Sequence, residues 1–378
     1  MTHYAGLDVS METTFICIVN EKGKVVKEVE CSSTPEAIDS ILSRSGLKIE
    51  KVGLESGCLT HYLKKGLKKK GYEVIGMESH RMAAILKTII NKTDKNDARG
   101  IAEALRVGHY KECIHRSDQA VEIRTILHGR RTAVEGRTHA ITSIKGHLKV
   151  YGIKLGKGAG KSFREKVEGA IAVLNFRVRR VIQSLLNILD TIEKEIKELD
   201  QIVKDVGKED EQVKLLQTVD GVGPITALAF VAEVDDPKRF ENSKDVAAYV
   251  GLTPTQYSSG EIQRQGGISK KGSKHTRCLL VEAATTLLTR CQIWSKLKAW
   301  GLKLMRKIGK KKAIIAVARK LAVIMHRMLI TGKPFERSTK KKEVLPVGVA
   351  PTDAVSAVDN EISPHLGGIS GEIGMQIA

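Results

Sequence analysis

The chain lacks several features that would have pointed to other protein classes. Aromatic residues make up only 4% of its 378 residues, so we do not expect stacking on rings to be its main mode of nucleic-acid contact. None of the six cysteines stands in a Cys-x-x-Cys arrangement, which argues against zinc and redox sites and suits a reducing cytosol. There is no apolar signal segment and no apolar run of about 18 residues. The sequence therefore predicts a cytoplasmic protein without a membrane-spanning helix.

Positive charge is what the chain has in excess. It contains 63 Lys and Arg against 43 Asp and Glu, a formal net charge of +20. An excess of this size predicts a polyanionic partner, and nucleic acid held through its phosphates fits best.

The periodicity of apolar residues divides the chain into four regions. Residues 1–112 alternate strands (4–8, 14–19, 24–29, 51–55, 72–77) with helices (35–44, 61–70, 82–90, 94–107), which predicts a mixed sheet with helices on its faces. Residues 113–210 are helical, and residues 211–336 form a helix-rich C-terminal region. The remaining residues, 337–378, have no sustained period and are predicted to be a disordered tail.

The second region carries a heptad pattern, which predicts a coiled-coil arm. Apolar residues recur at spacings of four and three at Val178, Ile182, Leu185, Leu189, Ile192, Ile196, Leu199 and Val203. A looser pattern upstream consists of Leu127, Val134, Ile141, Ile144, Leu148 and Tyr151. Two such helices joined near residues 152–160 would form an antiparallel arm, used for self-association or for packing within one chain.

Four acidic residues in the first region are the strongest candidates for chemistry. Asp8 and Glu55 each end a predicted buried strand, and Asp94 and Asp97 lie three residues apart at the start of a predicted helix, on one face. Carboxylates that converge repel one another unless a cation compensates, and Mg²⁺ is the usual one. The alternative is structural: Asp94 and Asp97 also fit an N-terminal helix cap, and Asp8 fits a turn.

A Gly-Val-Gly turn at residues 221–223, followed by Pro224, resembles the helix-hairpin-helix module of DNA-repair and recombination proteins. The glycines would let backbone N–H groups approach a phosphate at a helix N-terminus. The alternative is a tight turn between two core helices.

Farther along, Ser258 and Ser259 precede Gly260, and Lys270 and Lys271 follow nearby. A hydroxyl beside many cations can attack phosphorus when a base or metal activates it, although a Ser-Ser-Gly sequence alone is typical of a turn.

Taken in order, these motifs resemble the DEDD transposases of the insertion-sequence one-ten and eleven-eleven group. The resemblance covers residues 3 to about 335 and runs from Gly6-Leu7-Asp8-Val9-Ser10 through residues 92–98 and 221–223 to Gly267-Ile268-Ser269-Lys270. It implies an α/β RuvC-like domain of RNase H fold, a coiled-coil middle and an all-α C-terminal transposase domain.

The resemblance also implies roles for individual residues. Asp8, Glu55, Asp94 and Asp97 take the DEDD positions that hold Mg²⁺, and Ser259 best matches the nucleophilic serine, with Ser258 a near competitor. Members are thought to recombine DNA under the guidance of a structured bridge RNA from their own element. They act as dimers that pair into tetramers. A prokaryotic, nucleoid-associated location follows.

We therefore predict a Mg²⁺-dependent DNA transposase or recombinase that works through a serine–DNA covalent intermediate. Two other functions stay open on the sequence alone. One is a RuvC-like, metal-dependent DNA junction nuclease in which the Ser259 region only grips phosphate. The other is a non-catalytic nucleic-acid-binding protein whose carboxylates only cap and fold the chain.

Overall fold

The computed structural model describes residues 1–87, 91–113, 115–156, 161–259 and 262–337. The predicted tail, from residue 338 on, and the last three residues of the helix predicted at 82–90 lie outside these ranges. Within them, no helix combines the length and apolarity needed to cross a membrane.

The N-terminal region forms a five-stranded mixed sheet in the order β3-β2-β1-β4-β5. Its strands are β1 (His3–Val9), β2 (Thr13–Asn20), β3 (Val25–Ser32), β4 (Ile49–Glu55) and β5 (Val74–Met77). The first three strands pair antiparallel, whereas β1 with β4 and β4 with β5 pair parallel. The predicted mixed sheet is confirmed, and the arrangement is consistent with an RNase H-like domain.

Helices cover both faces of this sheet. They are α1 (Pro35–Arg44), α2 (Thr60–Lys69), α3 (Ser79–Leu86) and α4 (Asp94–Val107). Alternate residues of β1 point to opposite faces: Ala5 and Leu7 pack in one cluster with Ile38 of α1 and Leu63 of α2, and Gly6 faces α4. The sheet is therefore buried on both sides, as expected for parallel central strands.

Two long helices and one short helix form the middle region: α5 (Asp118–Lys149), α6 (Lys161–Ile171) and α7 (Phe176–Glu209). Helices α5 and α7 pack against each other. Helix α6 lies in the region predicted to be helical but forms a separate helix, and it adds Phe163, Val167 and Ile171 to an apolar cluster that joins all three helices. The residues of the downstream heptad pattern are buried or partly buried. Tyr151 is an exception upstream, being exposed beyond the end of α5.

The C-terminal region is mostly helical and contains a hairpin that was not predicted. Its elements are α8 (Glu211–Gln217), α9 (Pro224–Val234), α10 (Ser243–Tyr249), β6 (Pro254–Ser259), β7 (Ile262–Ile268), α11 (Lys274–Thr289), α12 (Lys296–Ile308) and α13 (Lys310–Thr331). Its core centres on α9, α11 and α13, and it takes in Ile123 and Leu127 of α5 and Val203 of α7. The long helices are thus rooted in the C-terminal core.

A buried carboxylate fixes the start of α5 to α9. The Glu233 side chain is only 2% exposed and pairs with Arg116, at 3.1 Å, and with Arg124. Ser117 donates to Asp235 through its backbone N–H and its hydroxyl, both at 2.6 Å. Because breaking a buried ion pair leaves an uncompensated charge, this junction sets how α5 leaves the C-terminal core.

Candidate active site

Helix α4 lies directly on a pair of glycines in the central strands. Gly6 of β1 and Gly53 of β4 are partners in the parallel register. A Cβ on Gly6 would lie 2.3 Å from the backbone nitrogen of Ala102, and one on Gly53 would lie 2.7 Å from the Met77 side chain. No side chain fits between β1 and α4 at Gly6, so glycine there brings the helix close to the sheet.

The same geometry directs two carboxylates toward α4. Asp8 lies two residues after Gly6, and Glu55 lies two residues after Gly53. Side chains two apart on a strand share a face, so both carboxylates lie on the α4 face, at the carboxyl ends of adjacent parallel strands. The repeated spacing, Gly-Leu-Asp and Gly-Leu-Glu, was a sequence signal for this close approach.

At the start of α4, the capping role belongs to Thr93. Its hydroxyl accepts a hydrogen bond from the Asn96 backbone N–H at 3.2 Å. Asp94 is the first helical residue rather than the cap, so the capping interpretation of Asp94 is wrong. Its carboxylate is not the group that caps the helix.

The three other acidic residues affect the pKa of Asp8. Burial raises the pKa of Asp8 to about 6, and repulsion from Asp97, Asp94 and Glu55 adds to the increase. Lys92 opposes the increase but does not cancel it. Each of the three other acids is therefore close enough to act on Asp8.

Asp97 is the deepest of these residues, with 7% of its surface exposed. Within the described ranges, no side chain donates a hydrogen bond to its carboxylate or forms an ion pair with it. A divalent cation bound between Asp97 and the neighbouring carboxylates would offset their mutual repulsion.

The chemistry of this cluster fits a divalent metal, since all four donors are carboxylate oxygens. The geometry is looser than a coordination sphere: among the described residues, no three acidic, histidine or cysteine side chains are gathered closely enough to hold a metal as they stand. The side chains converge on one region and would have to move closer to bind an ion.

Helix α4 is also joined to β3 through Glu28, a residue that no sequence motif had singled out. Arg99 of α4 contacts Glu28 with two nitrogens, one of them at 2.9 Å, and Lys95 lies at 2.8 Å. The hydrogen bond from Arg99 lowers the pKa of Glu28. These ion pairs hold α4 against the sheet from the side opposite β4.

The two candidate serines lie on a strand, in the exposed β6–β7 hairpin. Tyr257 pairs with Arg264 across the hairpin, and Ser258 pairs with Gln263. Alternation along β6 places Ser259 on the same face as Tyr257 and Arg264. Ser258 lies on the other face, where Gln256 Nε2 donates to its hydroxyl at 3.2 Å. Gly260, part of the predicted motif, lies outside the described residues.

The base of this hairpin is fixed to the C-terminal core. Gly251 has a φ of 71°, and a Cβ there would lie 2.2 Å from the carbonyl oxygen of Lys271. The buried Arg277 donates to the carbonyl oxygens of Val250 and Lys271 at 3.0 and 2.9 Å. Lys270 and Lys271 are exposed beside this base. The hairpin therefore projects from a rigid support.

The two glycines of the predicted helix-hairpin-helix turn have different surroundings. Gly221 has a φ of 88°, and a Cβ there would lie 2.8 Å from the carbonyl oxygen of Ala283 in α11, so Gly221 packs against a core helix. Gly223 is exposed and precedes α9 without a side-chain cap. Gly223 is thus the exposed one, at the N-terminus of a helix whose first N–H groups have no partner within the helix.

The serine hairpin and the carboxylate cluster lie in different regions of the chain. Among the described residues, no hydrogen bond or ion pair joins the β6–β7 hairpin to Asp8, Glu55, Asp94 or Asp97. Chemistry that uses both would draw its groups from two regions of the chain.

Comparison with known proteins gives two family matches and several relatives. Residues 5–153 match the DEDD transposases of the IS110 type, and residues 213–299 match the transposase IS116/IS110/IS902 family. The transposase of insertion sequence element IS1111A from Coxiella burnetii is 29% identical over 336 residues, which cover 87% of this chain and 90% of that protein. The transposase of IS1328 from Yersinia enterocolitica is 26% identical over 76% of this chain and 85% of its own. A pilin gene-inverting protein from Moraxella bovis is 31% identical over 33% of this chain and 39% of its own.

Proposed function

This chain belongs to the IS110/IS1111 family of insertion-sequence transposases, enzymes of DNA recombination, and on that premise we propose that it cleaves and rejoins DNA through a covalent serine–DNA intermediate. The observation that supports the metal-dependent part of the proposal is the placement of Asp8 and Glu55 at adjacent strand ends facing α4, which carries Asp94 and Asp97. The family implies a divalent metal, and we propose Mg²⁺.

Asp8, Glu55, Asp94 and Asp97 would hold the metal. When bound, Mg²⁺ polarises a phosphodiester and offsets the negative charge that develops on it. The chain itself contributes the placement: β1 and β4 carry two of the carboxylates, and the glycine pair lets α4 bring the other two beside them. The raised pKa of Asp8 means that metal binding displaces a proton from this cluster below about pH 6.

Ser259 is the proposed nucleophile. Its oxygen forms a bond to phosphorus while the bond from phosphorus to the leaving strand breaks, and the leaving strand's oxygen ends with the proton. Because a phosphoserine ester keeps the energy of the phosphodiester, the hydroxyl of another strand can reverse the step and rejoin the DNA without an external energy source. A water nucleophile would leave a nick instead.

The hairpin's alternation supports Ser259 over Ser258. Ser259 shares its face with the Arg264 guanidinium, a group that binds phosphate well, and with the Tyr257 ring. The Ser258 hydroxyl lies among glutamines on the other face and already accepts a hydrogen bond. Lys270 and Lys271 at the base add positive charge that would attract the DNA backbone. We propose a helix-hairpin-helix role for the turn at Gly221 and Gly223, with the exposed N-terminus of α9 toward a phosphate.

Assembly into a dimer or tetramer would bring the hairpin of one protomer to the carboxylates of another. Helix α7 offers a surface for this, since Val181, Ile188 and Ile202 are exposed at spacings of seven and fourteen residues. These positions share heptad spacing, and we propose that they extend the α5–α7 pair into a coiled coil between protomers. The net charge of +20 provides a general affinity for nucleic acid, and a guide RNA from the element would add specificity to it.

The test is to trap the covalent adduct on a DNA substrate that carries the element end, with Mg²⁺ present, and to map the attached peptide. We expect attachment at Ser259, loss of the adduct in Ser259→Ala, and retention in Ser258→Ala. Attachment at Ser258 would reverse the assignment of the nucleophile. Cleavage without any adduct, leaving a free 5′-phosphate, would favour the junction-nuclease function, and no Mg²⁺-dependent reaction at all would favour a non-catalytic binding protein.

A further inference from the structure

The last helices of the described chain carry charge of one sign only. From residue 283 to residue 335 the sequence contains no aspartate or glutamate, while lysines and arginines recur throughout. Within the described residues, no cation of α12 or α13 forms an ion pair. The positive charge of this surface is therefore left for a partner to neutralise.

Helix α12 gathers this charge around a tryptophan. Lys296, Trp300, Lys303 and Lys307 follow one another at spacings of four, three and four, which places them on one face of the helix. All four are exposed, Trp300 by 42%. A large ring in the middle of a lysine stripe is unusual for a face that meets only water.

The opposite face of α12 is already buried in the protein. Leu297 and Gly301 are buried, and a Cβ on Gly301 would lie 2.6 Å from the Leu288 side chain and 2.8 Å from that of Val317. The apolar side of the helix is therefore not free to enter a lipid surface. The exposed face of α12 is cationic and aromatic.

The second tryptophan of the chain lies at the same place. Trp294, just before α12, is 56% exposed, and Lys298 Nζ lies 5.8 Å from its ring centre. The sequence contains only two tryptophans, and both are exposed within seven residues of each other in the acid-free stretch. In a chain with so few aromatic residues, two exposed tryptophans so close together indicate a binding function for this part of the surface.

We propose that α12 and the loop before it form a binding site for a single-stranded polynucleotide, separate from the proposed active site. The lysine stripe would contact successive phosphates, and the exposed rings of Trp294 and Trp300 would stack on unpaired bases. Stacking requires bases whose faces are free, so a single strand suits this surface better than a duplex. The site goes beyond the proposed cleavage chemistry and uses none of its residues.

Because both tryptophans lie here, the intrinsic fluorescence of the whole protein reports on this surface. We expect a short oligothymidylate or oligouridylate to quench it on binding. Heparin, a polyanion without bases, should bind without comparable quenching. Stronger binding of oligouridylate would identify RNA as the source of the strand, and stronger binding of oligothymidylate would identify DNA.

Substitutions separate stacking from charge. Trp300→Ala should weaken binding of the oligonucleotide about tenfold, and Trp300→Phe should retain most of it. Phe176→Ala removes another exposed ring, on α7, and should have no effect. Replacing Lys296, Lys303 and Lys307 together by glutamine should lower the slope of log affinity against log salt by about two. As a control, replacing Lys22, Lys68 and Lys69 by glutamine removes the same amount of charge elsewhere. This variant has the same net charge as the α12 variant and should keep the fluorescence response.

Several results would overturn the proposal. Equal quenching by heparin and oligonucleotide would mean that the surface senses charge without stacking. Unchanged affinity in Trp300→Ala, with a native circular dichroism spectrum, would place the strand elsewhere. Quenching by anionic lipid vesicles but not by oligonucleotides would make this a membrane-binding surface instead.

Discussion

Replacing Asp8 by asparagine should stabilise the protein while abolishing its activity, and the gain should depend on pH. The pKa of Asp8 is raised from 3.8 to about 6 by burial and by its three acidic neighbours. A raised pKa means that the folded state holds the proton more tightly than the unfolded state does. The wild-type protein therefore loses stability, relative to the asparagine variant, as pH rises from about 4 to about 6.

The size of the effect follows from the shift. A difference of about two pKa units corresponds to about 3 kcal/mol in the free energy of unfolding. Because Asp8 is only partly buried, solvent screening reduces this, and we expect a gain of about 1–2 kcal/mol at pH 8. Near pH 4 the carboxyl is largely protonated and resembles the amide, so the gain should vanish.

Urea denaturation at pH 4 and pH 8, with chelator present, would measure this difference. Adding Mg²⁺ at pH 8 should then stabilise the wild-type protein more than the variant, because the variant lacks one ligand. Glu30→Gln is a suitable control, since Glu30 is exposed on β3 and does not contribute to the pKa shift of Asp8. The reasoning would be refuted if Asp8→Asn showed no gain in stability at pH 8, or if it still cleaved DNA with Mg²⁺ at the wild-type rate.

Four further substitutions test the surrounding structure. Gly6→Ala should reduce stability by about 2–3 kcal/mol and abolish cleavage, because its methyl group would push α4 away from the sheet; normal activity in thermal-melt and cleavage assays would contradict this. Glu233→Gln should lower the free energy of unfolding by about 3 kcal/mol, because two arginines lose their buried charged partner; urea denaturation would measure the loss. Leu189→Lys should unfold the α5–α7 arm within one chain, seen as lost helical circular dichroism, because Leu189 is 3% exposed. Ile188→Lys, at an exposed position, should keep the arm folded and lower only the assembled mass in sedimentation; an unchanged mass would show that this face does not join protomers.

The sequence alone determined features that depend on neighbours along the chain. The bounds of α1 and α4 agree with the prediction residue by residue, because capping residues and helical periodicity are local signals. The mixed sheet followed from strand-length apolar runs, and the family followed from the order of short motifs. The four acidic positions were found for the same reason, since each ends a strand or begins a helix. Their role as metal ligands stays a prediction.

The tertiary structure decided which of these residues meet. Nothing local indicates that Gly6 and Gly53 pair in register and so let α4 pack closely on the sheet. The separation of α6 from α7 was not predicted, because the apolar residues of α6 find their partners only by packing against α5 and α7. The β6–β7 hairpin was missed because it is exposed on both faces and has no strong apolar period. Gly221 packs against the backbone of Ala283 in α11, a residue about sixty positions away in sequence. Contacts of this kind depend on the packing of distant segments, and packing is what brings dispersed carboxylates to one place and leaves two tryptophans exposed at another.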